Sequence, residues 1–264
     1  MSSLSAAAVA VLRTADPLEK CRLTRAFAAD WREGRISAVG DTLPPPRPAR
    51  PERPELLAPR HMPKRAYGGD KGRMGLVHAL AHIELNAVDL AWDIVCRFPH
   101  EAMPRGFLDD WVQVAVDEAE HFEMLERLLN GLGATYGDLP AHDGLWQAAE
   151  KTADDLMARL AVVPMTLEAR GLDTTPATIL RLTANGDSLT PPVLEIILRD
   201  EIRHVAAGVR WFAHLAERRG IEPAAEYHRL LGERFPAGLK APFNHAARAE
   251  AGFPAAWWEP MARA

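Results

Sequence analysis

The sequence predicts an all-α protein built around a four-helix bundle, and three observations predict it. Two Glu-x-x-His motifs, Glu118-Ala-Glu-His121 and Glu201-Ile-Arg-His204, lie inside long amphipathic segments. A lone glutamate precedes each motif: Glu84 by 34 residues and Glu168 by 33. A turn signal falls at the midpoint of each interval, the breaker-rich Phe98–Gly106 in the first and Asn185-Gly186-Asp187 in the second. With 20 glutamates and 10 histidines, about one Glu-x-x-His pair is expected by chance, so the register carries the information. The whole unit recurs after 84 residues at the lone glutamate and after 83 at the motif, which is an internal duplication.

The spacing has a geometric consequence. Residues three apart share a helical face, so each motif aims a carboxylate and an imidazole the same way. A turn midway along an antiparallel hairpin brings its ends level, which sets Glu84 against Glu118 and His121, and Glu168 against Glu201 and His204. Two such hairpins gather four carboxylates and two imidazoles in one core. These are transition-metal donors. Four buried carboxylates would repel or protonate unless their charge were cancelled, and two divalent ions cancel it.

The elements follow in order. Residues 1–40 read as a helical arm, with Asp16 capping a helix that starts at Pro17 and ends near Gly34. Residues 41–65 form an extended Pro-rich strap carrying five arginines and Lys64, because its prolines forbid a regular helix. Its arginines face either the bundle surface or an anionic ligand. Helices are expected at Arg73–Arg97, Pro104–Leu132, Leu145–Arg170 and Leu189–Arg219, with a crossover loop from Tyr136 to Gly144. Pro164 should kink the third or force a bulge beside Glu168. A short helix is expected to start at Thr175-Pro176, and another to cover Pro223–Arg234. The tail, 235–264, is expected to pack as coil through its aromatics. The expected domains are residues 1–65 for arm and strap, 66–220 for the bundle, and 221–264 for the last helix and tail.

Composition narrows the function. The chain has 264 residues, 48% of them hydrophobic, a net charge of −5 and a pI near 6.1. No global basicity points to nucleic acid. No apolar run is long enough to span a membrane, and the N-terminus lacks a basic region and cleavage site. Cys21 and Cys96 fall in no metal or redox motif. The expected location is the cytoplasm.

The ligand pattern resembles the ferritin-like di-iron and di-manganese carboxylate superfamily. Met62-Pro-Lys-Arg65, His78-Ala-Leu-Ala-His-Ile-Glu-Leu85, Asp89-Leu-Ala-Trp-Asp93, Tyr136–Asp143 and Leu167–Asp173 are similar to one bacterial member, the domain-of-unknown-function family 455. The resemblance covers roughly residues 20–220. It implies a ferritin-like fold and a site for two transition-metal ions, Fe/Fe or Mn/Fe. It also implies that Glu118 and Glu201 bridge the ions while Glu84 and Glu168 are terminal ligands. Asp200-Glu-Ile-Arg203-His204 matches the Asp-Glu-x-Arg-His motif of bacterial di-iron monooxygenases, in which the Arg belongs to the outer hydrogen-bond network. Asp117 and Asp200, each four before a ligand histidine, are candidates to hold its second ring nitrogen.

Small residues near the first half-site, Ala81, Ala87, Ala115 and Ala119, either leave room for dioxygen or a substrate or make close helix contacts, and Tyr136, His142 and Asp143 either line an entrance or fix the crossover loop. His78 and His82 have no counterpart in the second repeat and read as packed, hydrogen-bonded histidines or as a third metal group. Three functions compete. The first is an oxidoreductase that uses dioxygen or peroxide on a small substrate, with an electron donor. The second is a ferroxidase or iron store. The third is a helical scaffold whose metal only staples the core. A homodimer is left open.

Overall fold

The computed structural model describes residues 2–62 and 69–263. It is almost wholly helical, as expected, and forms two compact units, residues 1–147 and 148–264. The expected boundary at 65/66, and Lys64 and Arg65 of the strap, lie outside the described residues.

The first unit opens with α1 (Leu4–Leu12) and α2 (Pro17–Arg32). Asp16 caps α2 by accepting from Glu19 N–H at 2.7 Å. The strap then runs extended, broken by a 3₁₀ turn at Pro59–His61 and tied by a β-bridge between Leu56 and Ala141. Two of its arginines engage this unit itself: Arg47 bonds Asp143, and Arg50 donates to Asn86 Oδ1. Two long helices follow, α3 (Gly69–Arg97) and α4 (Arg105–Gly131), turning where the Pro and Gly cluster predicts. Gly133, at φ 76°, takes the left-handed position just past the end of α4. The arm clasps this hairpin, α1 on α3 and α2 on α4. After the crossover loop comes α5 (Gly144–Glu150).

In the second unit the single helix expected at Leu145–Arg170 is broken. A turn at 151–154 separates α5 from α6 (Leu156–Val162), which Asp155 caps. The buried Arg159 guanidinium holds the break by donating back to Thr152 Oγ1 and to the Ala149 carbonyl at 2.8 and 2.7 Å. Val163–Glu168 is π-helical and leads into α7 (Ala169–Ala184). Pro164 removes an N–H from the helical ladder, so the sequence signal for a bulge is realised as one wide turn. The Thr166 hydroxyl bonds the Ala161 carbonyl at 2.8 Å, and Tyr227 OH lies 3.0 Å from that hydroxyl.

No new helix starts at Thr175-Pro176; Pro176 lies inside α7. The carbonyl it would leave unpaired, that of Leu172, accepts from Asn244 Nδ2 at 3.1 Å instead. Then α8 (Thr190–Arg219) forms the second leg of this hairpin, with Asp187 Oδ1 accepting from Leu189 and Thr190 N–H at its start. Its partner α9 (Pro223–Arg234) matches the expected bounds. The tail is more ordered than coil. It contains β1 (Leu239–Lys240), α10 (His245–Glu250), α11 (Ala255–Trp258) and β2 (Ala262–Arg263), with β1 parallel to β2. Among the described residues no helix is long and apolar enough to cross a membrane.

Candidate metal centre

In the first unit α3 carries Glu84 and α4 carries Asp117, Glu118 and His121, all buried. The hairpin brings them together as the register predicts. His121 Nδ1 stands 3.5 Å from both Glu84 Oε2 and Glu118 Oε2. One donor atom from each of the three residues lies within 4.8 Å of the others. Burial, and then the neighbouring Glu118 carboxylate, push the Glu84 carboxyl well above its usual range. Glu84 Oε2 makes no hydrogen bond among the described residues. A buried group that forces two carboxylates and an imidazole together fits a metal ion. This group can hold one.

In the second unit Glu201 and His204 are buried on α8, with His204 Nδ1 3.8 Å from Glu201 Oε1. Glu168 is the last residue of the π segment and half-buried. The segment lies close to α8 because position 208, one turn past His204, is glycine. A Cβ there would come within 2.8 Å of the Pro164 ring. Asp117 accepts from Gln113 Nε2 at 2.7 Å. Asp200 is gripped by Arg199 Nε at 2.9 Å and Arg203 Nη1 at 2.8 Å.

His78 and His82 hold the crossover loop. His78 Nε2 accepts from Gly137 N–H at 3.0 Å. His82 Nε2 donates to the His142 carbonyl at 3.1 Å, which leaves Nδ1 to accept from Tyr136 OH at 2.8 Å. His82 is therefore neutral, and burial followed by the Arg50 charge pushes its pKa down to about 4. Tyr136 also stacks on both imidazoles. Ala81, Ala87 and Ala115 are buried in the core.

Sequence reasoning missed two residues that the duplication itself marks. Asp89 stands five after Glu84, and Asp173 five after Glu168. Both are buried, and each is ion-paired to a buried cation from outside its hairpin. Lys20 of α2 pairs with Asp89. Arg248 of α10 grips Asp173 through Nε at 2.9 Å and Nη2 at 2.7 Å. The Glu-x₄-Asp spacing was the available signal.

Comparison with known proteins agrees with the motifs. The chain belongs to the family described as protein of unknown function (DUF455), whose model matches residues 13–259. An uncharacterized protein of Haemophilus influenzae (strain ATCC 51907 / DSM 11121 / KW20 / Rd) is 38% identical over 252 residues, spanning 92% of this chain and 88% of its own. No solved structure matches the chain.

Proposed function

We propose that this member of the DUF455 family is a ferritin-like dinuclear-metal oxidoreductase acting with dioxygen or peroxide on a small organic substrate. The observation that carries the reading is the buried group of Glu84, Glu118 and His121, whose register recurs as Glu168, Glu201 and His204. In this reading each hairpin supplies one half of the ligand set. Glu84, Glu118, His121, Glu168, Glu201 and His204 would hold the two ions. Six protein ligands leave positions open, and a pair of iron ions, or manganese with iron, then supplies redox chemistry with dioxygen.

The chain's own part is to bind, to orient and to exclude water. Burial keeps bulk water from Glu84, Glu118 and Glu201, while Glu168 is half-buried. Asp117 and Asp200 are the proposed holders of the histidine ring nitrogens. The iron-store reading is disfavoured because the arm and tail are occupied within their own units, α1 on α3 and α10 on α7, rather than left for contacts in a shell.

Anaerobic loading with ferrous ion followed by air is the test. The expected result is uptake of about two irons per chain, as in two-metal sites, with an optical band appearing on exposure to air. Uptake of many more irons in a hollow assembly would establish a store. Bound metal with no response to air would establish a staple.

A further inference from the structure

A second polar site lies in the first unit, between the strap and α3. Its cavity, of about 30 Å³, is lined by Lys20, Arg50, His82, Leu85, Asp89 and Tyr136, with strap prolines and Leu56 beside them. That is room for about two water-sized groups. His82, Leu85 and Asp89 fall at i, i+3 and i+7, one stripe of α3, and Glu84 lies off that stripe. The cavity is therefore separate from the Glu84 cluster.

Its charges are unevenly matched. Lys20 is ion-paired to Asp89 and donates to the Ala49 carbonyl at 3.4 Å, which leaves one ammonium proton. Arg50 Nη2 bonds a neutral amide, that of Asn86, and stands 3.8 Å from Asp143, which Arg47 already bonds. Arg50 is half-buried, and its Nε is buried and makes no hydrogen bond among the described residues. A buried guanidinium edge with an unused N–H calls for an anionic oxygen, because a charge-assisted bond there is both strong and unmade. Tyr136 OH donates to His82, so the free donors come from the two cations alone.

The matching cation of the second unit is held differently. There Arg248 meets Asp173 with two short bonds and packs its guanidinium 4.7 to 5.5 Å from the rings of Phe243, Phe253 and Trp258.

We infer that this cavity binds the carboxylate head of a small organic acid, with Arg50 Nε and Lys20 Nζ donating to its two oxygens and its aliphatic stem emerging past Leu56 on the exposed strap side. One anionic head suits one under-matched guanidinium edge. The apolar strap side selects a carbon stem over a fully hydrated inorganic ion.

The test titrates propionate, propionamide and inorganic phosphate into the full-length protein, followed by calorimetry and by the NMR signals of the Tyr136 ring. Propionate should bind saturably, at least about tenfold tighter than propionamide, in line with the loss of a charge-assisted bond, and tighter than phosphate. Arg50→Gln should weaken it by a similar factor. Leu56→Trp, at the exposed strap side, should also weaken it while leaving Arg50 intact, so the test survives if Arg50→Gln fails to fold. Absence of saturable binding, equal affinity for propionamide, tighter phosphate, or wild-type affinity in a folded variant would each overturn the inference. It does not depend on the metal reading, and loss of iron in the loading experiment would leave it standing.

Discussion

Glu84 sits on an unbroken helix, whereas Glu168 closes a π-helical turn forced by Pro164. Yet the two halves repeat the same grammar: a lone Glu, a buried Asp five residues on, then a Glu-x-x-His on the partner helix. In each half a cation from outside the hairpin pins that Asp, Lys20 from the N-terminal arm and Arg248 from the C-terminal tail. The difference teaches that the duplication preserves chemistry at chosen positions and leaves the backbone between them free to diverge. It also explains why the arm and tail stay bound, since each supplies the counter-charge for a buried carboxylate.

The largest expected effect separates the two cations. Asp173→Ala strands a buried guanidinium, which cannot deprotonate, and should cost about 3–5 kcal/mol in chemical denaturation. Asp89→Ala strands Lys20, which can lose its proton, so its cost should be smaller. Equal losses, or a larger one at Asp89, would break the parallel drawn between the clasps.

Next comes the backbone contrast. Gly208→Ala drives a methyl group into the Pro164 ring and should destabilise by about 1–3 kcal/mol, the usual cost of overpacking. Gly75→Ala on α3 meets nothing within 4 Å and should stabilise by roughly 0.5–1 kcal/mol. A neutral Gly208→Ala would mean that the π segment does not depend on close approach to α8.

The smallest effect is a pH dependence of the first half. Glu84 has a raised pKa in the folded protein, caused first by burial and then by Glu118. In metal-free protein its contribution is complete below its unfolded value of 4.5 and is lost as pH rises through the folded value. The melting temperature of metal-free protein should therefore fall as pH rises from about 4.5 through the folded value. Metal binding displaces protons, so the stabilisation by metal should grow over the same range. A metal-free protein that gains stability with rising pH would contradict the crowding of Glu84 and Glu118.

Much of this was legible in the sequence where the cause was local. Asp16-Pro17 and Pro223 announced the starts of α2 and α9 through cap chemistry, and Pro164 announced the wide turn. Glu84, Glu118 and His121 were legible because helical spacing and a midpoint turn fix their meeting. What stayed hidden had distant causes. Pro176 looked like a helix start because the group that satisfies the Leu172 carbonyl is Asn244, 72 residues on. The break at 151–154 depends on where Arg159 reaches, and the roles of His78 and His82 depend on a loop some 60 residues away. Asp89 and Asp173 were visible as a spacing but meaningless until their cations were placed.

The proposed function rests on metal binding by Glu84, Glu118 and His121 and by their repeat Glu168, Glu201 and His204. Metal analysis of protein purified from its own host, beside the Glu118→Ala, Glu201→Ala double variant, tests it most directly. The expected result is about two transition-metal ions per wild-type chain and none in the folded double variant. A double variant that retains both ions would contradict it.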